Sequence, residues 1–250
     1  MTSNRFFIQK AELYKFPVLL TGKEHHHLHS VVRMKSGDNI WLFDEQGTEY
    51  LARVEFTGRD NTRLSVMEQK GKKEPPVKIT LVQSLIKTGR LEFLLQKSTE
   101  LGADCFLPMI SSRSVVKIKG KIEKKLERWS RIVREAAKQS GNTKVPTILP
   151  PKPLREVLRE DEDGLKIFLN ERGGTYLKEI LQGEYDSVKQ GMGIPSSVRV
   201  LIGPEGGWTQ QEERDILDHG FKAISLGPQT LRAETAAISC LVLINHFWNL

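Results

Sequence analysis

Cysteine, aromatic residues and long apolar runs are all scarce in this sequence. It contains two cysteines among 250 residues, and aromatic residues make up 7% of it. Cys105 and Cys240 lie in apolar stretches without a spacing typical of metal ligands. We therefore predict buried free thiols rather than a disulfide framework, and no bound metal. Because such thiols persist in a reducing cytosol, we expect a cytoplasmic protein.

No apolar run has the length of a membrane span. The longest, Ala236–Leu250, is interrupted by Asn245 and His246 and is shorter than the roughly 20 residues that cross a bilayer. The opening stretch, MTSNRFFIQK, has no apolar core of the length found in signal peptides. We expect no membrane partner, and we predict that the apolar tail forms a buried or interface helix.

Two phosphate-binding motifs are also missing. The sequence contains no GxxxxGK[ST], which argues against a P-loop. No GxGxxG follows the first predicted strand of the second half of the chain, which argues against an ordinary dinucleotide site. A nucleoside ligand without a pyrophosphate needs neither motif, so that class of ligand stays open.

Positive charge is abundant and unevenly distributed. The net charge is +7 for the whole chain, +9 within residues 75–150 and −4 within residues 151–250. A basic middle segment beside an acidic C-terminal part favours a polyanion, such as nucleic acid, bound along one face. The predicted helix Lys121–Ser140 has one apolar stripe, and most of its basic residues lie off that stripe. These basic residues either contact phosphates or form a solvated face.

The pattern of elements changes near residue 74. Before it, we predict strands split by glycine-containing turns, a spacing typical of a small barrel. These strands are Arg5–Ile8, Asn39–Phe43, Tyr50–Phe56 and Thr62–Met67. The charged segment KGKKEPP, Lys70–Pro76, ends in two prolines and breaks both helix and sheet. We place the domain boundary there, with domains at 1–72 and 77–250.

In the second part, continuous apolar runs alternate with helical stretches, which indicates an α/β domain with a parallel sheet covered on both faces. The predicted strands are Lys78–Leu85, Cys105–Ile110, Lys166–Asn170, Val198–Ile202 and Ala223–Leu226. The predicted helices are Arg90–Leu101, Lys121–Ser140, Leu154–Arg159, Gln210–His219 and the C-terminal tail. Ligands of such sheets bind at the carboxyl ends of the strands.

Three loops follow the late strands of this predicted sheet. They are Leu169–Glu171 (LNE), Leu201–Trp208 (LIGPEGGW) and Leu226–Arg232 (LGPQTLR). Glycine lets a backbone approach a ligand closely, so three such loops at one edge would form a pocket of backbone N–H and C=O groups. That pocket suits an adenine or amino-acid ligand. Alternatively, the glycines only make tight turns.

The order LIGPEGGWTQQE, then LGPQTLRAETAA, resembles SPOUT methyltransferases of the type that methylates uridine N3 in 16S rRNA. The resemblance extends over nearly the whole chain. It includes KTGRLEFLLQKSTELGAD (Lys87–Asp104), SSRSVVK (Ser111–Lys117) and RWSRIVREAAKQS (Arg128–Ser140). HHHLHSVVRMKSGD, His25–Asp38, resembles the PUA-like RNA-binding β-barrel at the N-terminus of that family.

The resemblance implies a C-terminal SPOUT domain with a deep trefoil knot, which generic fold rules would not predict. It further implies S-adenosyl-L-methionine as cofactor, 16S rRNA of the small ribosomal subunit as substrate, and a homodimer. One subunit's RNA surface would complete the other's site. We expect the three loops to bind the cofactor through Leu169, Asn170, Glu171, Leu201, Ile202, Gly203, Pro204, Glu205, Gly206, Gly207, Leu226, Gly227, Thr230 and Leu231.

Methyl transfer to uracil N3 requires a base near N3 or a cation that stabilises the uridinate oxygens. Arg232 and Glu234 are the expected catalytic residues. Arg232 would stabilise negative charge on the uracil or bind the adjacent phosphate, and Glu234 would accept the N3 proton or anchor Arg232. The alternative is that both residues only form a helix N-terminus, where an acidic residue favours the helix dipole.

Seven residues are the expected RNA contacts: Arg5, His26, Arg33, Arg113, Lys117, Arg128 and Arg131. The histidine run His25–His29 resembles a metal cluster, but adjacent side chains diverge and no partner has matching spacing. We therefore expect surface or RNA-facing histidines there.

Two alternative functions remain open from the sequence. One is a SPOUT enzyme that methylates a ribose 2′-hydroxyl, and the other is a non-catalytic RNA-binding factor in ribosome assembly. The chain also departs from the family at Gln229 and Thr230, where a basic and an aliphatic residue are usual. A further departure lies near Asn142, where an arginine is common.

Overall fold

A computed structural model of the chain describes residues 4–45, 47–70, 75–114, 122–142, 144–160, 163–189 and 194–249. The chain divides into two compact units. The first comprises Met1–Glu74 and Arg134–Val145, and the second comprises Pro75–Val133 and Pro146–Leu250. The domain limits at residues 72 and 77 stay a prediction.

The first unit is built on a five-stranded sheet. Its strands are β1 (Arg5–Phe7), β2 (Val18–Thr21), β3 (Asn39–Phe43), β4 (Glu49–Thr57) and β5 (Asn61–Lys70), in the order β1-β3-β4-β5-β2. Helices α1 (Lys10–Leu13) and α2 (Gly22–His26) and a π-helix (His27–Val32) connect its first three strands. Alternate residues of β4 are buried, so one face of the sheet covers an apolar core.

The prediction of a β-rich N-terminal part is confirmed, and that of surface histidines is wrong at one position. His25 is buried, with its Nδ1 2.9 Å from Thr62 Oγ1 and its Nε2 3.0 Å from the Arg59 carbonyl oxygen. Both ring nitrogens are thus satisfied inside the unit. His26 and His29 are exposed, as expected. Within the described residues, no group of three His, Cys, Asp or Glu side chains could hold a metal ion.

The second unit contains an eight-stranded sheet in which all the pairs are parallel. Its strands are β6 (Lys78–Ser84), β7 (Cys105–Ile110), β8 (Thr147–Ile148), β9 (Lys152–Pro153), β10 (Leu165–Leu169), β11 (Thr175–Tyr176), β12 (Ser197–Ile202) and β13 (Lys222–Ser225). The main order is β11-β13-β10-β12-β6-β7-β8, and β9 also pairs with β7. The carboxyl ends of β13, β10 and β12 are therefore neighbours.

Helices lie between these strands, as the alternation of apolar runs predicts. They are α3 (Thr88–Glu100), α4 (Ile122–Ser140), α5 (Leu154–Arg159), α6 (Leu177–Lys189), α7 (Gln210–Asp218) and α8 (Ala233–Trp248). The sequence did not predict α6, nor the two-residue strands β8, β9 and β11, which are too short to show periodicity. The predicted parallel α/β domain is confirmed.

The apolar tail forms α8, and one side of it is buried through Ala237, Leu241 and Ile244. Helices α3 and α6 pack against it. No helix in the described ranges combines the length and apolar character that a bilayer crossing needs. The buried Cys240 thiol is free, and burial raises its pKa to about 12. Cys105 forms no disulfide but is half-buried, so the prediction of burial is wrong there.

A cluster of charged side chains connects the C-terminal end of α5 with β12 in the sheet. Arg199 on β12 is only 4% exposed, and its Nη2 donates a hydrogen bond to Glu160 Oε2. Lys152 donates to the other oxygen of Glu160. Burial raises the pKa of Glu160, but the hydrogen bonds and charges of Lys152 and Arg199 outweigh it and leave the pKa below its ordinary value.

Candidate functional site

A cavity of about 330 Å³ opens where β10, β12 and β13 end. The three loops predicted from the sequence form its wall, because the order of the strands places their carboxyl ends side by side. The predicted cofactor residues on the wall are Leu169, Asn170, Glu171, Ile202, Gly203, Pro204, Glu205, Gly207, Leu226, Gly227, Thr230 and Leu231.

Leu201 and Gly206 are the two expected cofactor residues that do not line the cavity. Leu201 is fully buried and packs in the core of the second unit. Side chains alternate along a strand, so it points away from its neighbour Ile202, which does line the cavity. Gly206 is exposed, and an added Cβ on it would lie 3.5 Å from Arg113 Cβ, outside the cavity wall.

Trp208 joins two of the three loops, although the sequence analysis gave it no role. The indole Nε1 donates a 2.8 Å hydrogen bond to the Leu169 carbonyl oxygen, and the side chain is almost fully buried. Its ring lies against Gly203, where an added Cβ would come 3.0 Å from Trp208 Cε2. Gly203 therefore permits the close approach of the loop to the indole. The aromatic residue after GPEGG was the available sequence signal.

The turn of the second loop requires a glycine at residue 207. Gly207 has a φ of +66°, and its N–H donates a 2.9 Å hydrogen bond to the Pro204 carbonyl oxygen. Non-glycine side chains rarely adopt this left-handed conformation. An added Cβ would also lie 2.0 Å from Glu171 Oε1, so the Glu171 side chain approaches this glycine closely. The glycine thus lets the first and second loops approach each other.

Two arginines hold the outer side of the same loop. Arg113 Nη1 donates hydrogen bonds to the carbonyl oxygens of Gly206 (2.8 Å) and Trp208 (3.2 Å). Arg172 Nη2 lies 3.4 Å from the Trp208 carbonyl oxygen, and its Nη1 lies 3.2 Å from Glu213 Oε2. Arg113, which was expected to contact RNA, stabilises the loop that lines the cavity.

The two expected catalytic residues lie at the start of α8 but differ in environment. Arg232 is the exposed N-cap residue of the helix and lines the cavity. Glu234 is 8% exposed and is absent from the cavity wall. Its ion pair is made with Arg90 rather than with Arg232, at 3.8 Å between Arg90 Nε and Glu234 Oε1. Its other oxygen, Oε2, is buried without a hydrogen-bond partner among the described residues.

Arg90 is a second residue that the sequence analysis missed. It lies in the first turn of α3, lines the cavity, and donates a hydrogen bond from Nη1 to Glu205 Oε1. Its position within KTGR, directly after an apolar strand, was the only sequence signal. Gln229 and Thr230 are exposed and line the cavity, so the departure from the family falls at this site.

The expected RNA contacts are distributed over both units. In the first unit His26 and Arg33 are exposed, whereas Arg5 is mostly buried and pairs with Glu49 at 2.5 Å. In the second unit Arg131 is exposed.

Arg128 is also exposed, and it pairs with Glu92 at 2.6 Å. Lys117 lies outside the described residues.

Comparison with known proteins agrees with this geometry. The RNA methyltransferase domain family matches residues 73–245, and the RNA methyltransferase PUA domain family matches residues 20–67. Ribosomal RNA small subunit methyltransferase E of Bacillus subtilis (strain 168) is 33% identical, covering 97% of this chain and 96% of its own. The enzyme of that name from Aquifex aeolicus (strain VF5) is 32% identical, covering 92% and 95%.

A solved structure is similar over almost the same length. It is the ribosomal RNA small subunit methyltransferase E of Neisseria gonorrhoeae bound to S-adenosyl methionine. The two chains superpose with a TM-score of 0.83 at 31% identity, and the similarity covers 98% of each.

Proposed function

We propose that this chain methylates N3 of a uridine in 16S rRNA with S-adenosylmethionine as methyl donor. The chain belongs to the family of RNA methyltransferases represented by ribosomal RNA small subunit methyltransferase E. The observation that carries the proposal is the cavity at the carboxyl edge of β10, β12 and β13, whose wall consists of three glycine-containing or polar loops. The relative from Neisseria gonorrhoeae was solved with this cofactor.

The cavity fits a nucleoside cofactor that has no phosphate. Its volume of about 330 Å³ lies at the lower end of the range of small-molecule sites. Leu169, Gly203 and Leu226 line it, and the absence of a side chain on Gly203 lets the second loop lie against the Trp208 ring. When bound, S-adenosylmethionine supplies a methyl group on a positively charged sulfur, and the uracil nitrogen is the nucleophile that accepts it.

Glu234 and Arg232 then act on the uracil. N3 carries a proton at neutral pH, so a base must take it before or during the transfer. Glu234 Oε2 has no hydrogen-bond partner among the described residues and keeps an unused acceptor for that proton, and because Glu234 lies behind the cavity wall, the uracil reaches it only when the start of α8 shifts. Arg232 lies on the cavity wall, where its guanidinium stabilises the negative charge that develops on the uracil oxygens.

RNA binding uses exposed basic residues of both units. His26, Arg33, Arg128 and Arg131 supply phosphate contacts, and Arg5, Arg113 and Lys117 complete the proposed set. N3 is part of the pairing edge of uracil, so the target base enters the site unpaired or flipped out of a helix. The substrate is 16S rRNA, either free or in the small ribosomal subunit.

The proposal includes a cytoplasmic homodimer in which one subunit completes the RNA site of the other. Support for a dimer comes from two packed helices that keep apolar side chains exposed. Phe93 on α3 and Val242 on α8 are each 46% exposed. We also propose that the C-terminal domain contains a deep trefoil knot and that the domains span residues 1–72 and 77–250.

Nucleoside mass spectrometry of 16S rRNA from cells with and without the gene tests the function. We expect 3-methyluridine to disappear without the gene and to return with the wild-type gene. An unchanged 3-methyluridine content would overturn the proposal, and loss of a ribose 2′-O-methyl group instead would identify a different SPOUT reaction. Calorimetric titration with S-adenosylmethionine separates an enzyme from a binding factor, because a non-catalytic factor needs no cofactor.

A further inference from the structure

Arg90 occupies a position that is unfavourable for an isolated cation. It lies in the first turn of α3, where the helix dipole is positive. Its side chain is 34% exposed and lines the cavity. A cation at such a position requires nearby negative charge, and two carboxylates from distant parts of the chain supply it.

The two carboxylates come from different elements, and only Glu205 lies on the cavity wall. Glu205 belongs to the loop after β12 and accepts a hydrogen bond from Arg90 Nη1. Glu234 belongs to the first turn of α8, and its Oε1 lies 3.8 Å from Arg90 Nε. Because a guanidinium presents its donors in a rigid fork, one arginine side chain can orient both carboxylates at once. Arg90 thereby connects α3, the second loop and α8.

The arrangement around Glu234 is incomplete without a ligand. The 3.8 Å separation from Arg90 is longer than a hydrogen bond, and Oε2 is buried without a partner within the described residues. A buried carboxylate without donors is unfavourable. Uracil N3–H can supply the missing donor once the substrate reaches behind the cavity wall, from which Glu234 is absent.

We propose that Arg90 is a positioning residue that couples cofactor binding to activation of the methyl acceptor. One guanidinium holds Glu205 in the cofactor wall and orients Glu234 toward its acceptor role, so loss of Arg90 disturbs both contacts at once. This inference rests on the proposed function through Glu234, whereas its Glu205 part concerns cofactor binding alone. Arg90 itself neither donates nor accepts the transferred proton.

The test combines calorimetric affinity for S-adenosylmethionine with the single-turnover rate of methyl transfer at saturating cofactor. Arg90→Gln is expected to weaken cofactor binding about tenfold and to lower the rate about 100-fold. Glu205→Gln should weaken binding to a similar extent, and the double variant should bind no more weakly than Arg90→Gln alone. Glu234→Gln should change the affinity less than twofold while lowering the rate.

Arg90→Lys distinguishes positioning from a merely structural role. Lysine keeps the charge but is a single point donor, so we expect it to restore cofactor affinity to within threefold of wild type and to leave the rate at least tenfold low. Arg155→Gln, on the exposed face of α5, serves as the matched control. Thermal melting of every variant identifies any loss of folding.

Two results would overturn the inference. One is an Arg90→Gln protein with affinity and rate within twofold of wild type. The other is additive losses of affinity in the Arg90→Gln, Glu205→Gln double variant, which would mean that the two side chains act independently. If the wild-type protein methylated no uridine N3, the proposed function would fail, while the affinity measurements would still decide whether Arg90 and Glu205 are coupled.

Discussion

Replacement of Trp208 by phenylalanine isolates the hydrogen bond that joins two loops of the cavity. Phenylalanine keeps an aromatic ring against Gly203 but cannot donate to the Leu169 carbonyl oxygen, which now accepts a 2.8 Å bond from Trp208 Nε1. A half-buried carbonyl that loses its donor, together with the smaller ring, costs about 1–2 kcal/mol of the free energy of unfolding. At about 2–4 °C per kcal/mol, the melting temperature should fall by about 2–8 °C.

The affinity for the cofactor should fall as well, because the hydrogen bond that joins the first and second loops is lost. We expect the affinity of Trp208→Phe for S-adenosylmethionine to fall about tenfold, which corresponds to about 1.4 kcal/mol. Differential scanning fluorimetry without ligand and calorimetric titration measure the two effects separately.

Trp248→Phe provides a matched control in the same unit. The indole Nε1 of Trp248 is also buried, but it has no hydrogen-bond partner among the described residues. Trp248→Phe removes no hydrogen bond, so only the smaller ring should lower stability, and cofactor affinity should be unaffected. If Trp208→Phe and Trp248→Phe show the same affinity and melting temperature, the hydrogen bond to Leu169 does not organise the cavity.

Three further predictions concern charged residues. Arg113→Ala should weaken S-adenosylmethionine binding about fivefold in calorimetry, because the carbonyls of the second loop lose a donor. Glu160→Gln should cost about 1–3 kcal/mol in urea unfolding at pH 7, since Arg199 loses a carboxylate. That difference should shrink below about pH 4.5, because a carboxyl with a lowered pKa contributes stability that is lost as it is protonated. Arg131→Glu should reduce RNA affinity and lower the salt slope of binding by about one.

Each of these predictions has an outcome that contradicts it. An unchanged cofactor affinity in Arg113→Ala, with weaker RNA binding, would mean that Arg113 serves RNA alone. A stability difference for Glu160→Gln that stayed constant down to pH 3 would exclude the ion pair as its source. For Arg131, Arg155→Glu is the control, since it makes the same charge change on α5. Equal effects of the two variants on the salt slope would indicate non-specific attraction.

Much of the fold could be predicted because its elements are long and regular. The bounds of β3, β7 and α5 agree with prediction, since the apolar runs of β3 and β7 end at polar residues and α5 begins directly after Pro153. Elements such as β2 and the two-residue strands β8, β9 and β11 were missed. Their hydrogen bonds depend on a neighbouring strand from a distant part of the chain, and a short segment carries no periodic signal for that pairing.

The candidate site, like the fold, could be predicted from the sequence only in part. Glycines in loops after apolar strands identified the cavity wall, because backbone geometry limits which residues can occupy such turns. The hydrogen bonds by which Trp208 and Arg113 stabilise the loops could not be predicted, since their acceptors are backbone carbonyls, which every residue has. The role of Arg90 could not be predicted because the two carboxylates near it, Glu205 and Glu234, lie far along the chain.

The sequence by itself determined a β-rich part followed by a parallel α/β part, the three loops that carry the site, and the family. These features follow from local preferences, from apolar periodicity and from motifs, all of which are properties of short segments. Only the tertiary structure decided that β13, β10 and β12 lie side by side, that Glu234 is buried, and that its cation is Arg90 rather than Arg232. Charged side chains pair with whatever the fold brings within a few ångströms, and nearness along the chain does not determine that distance.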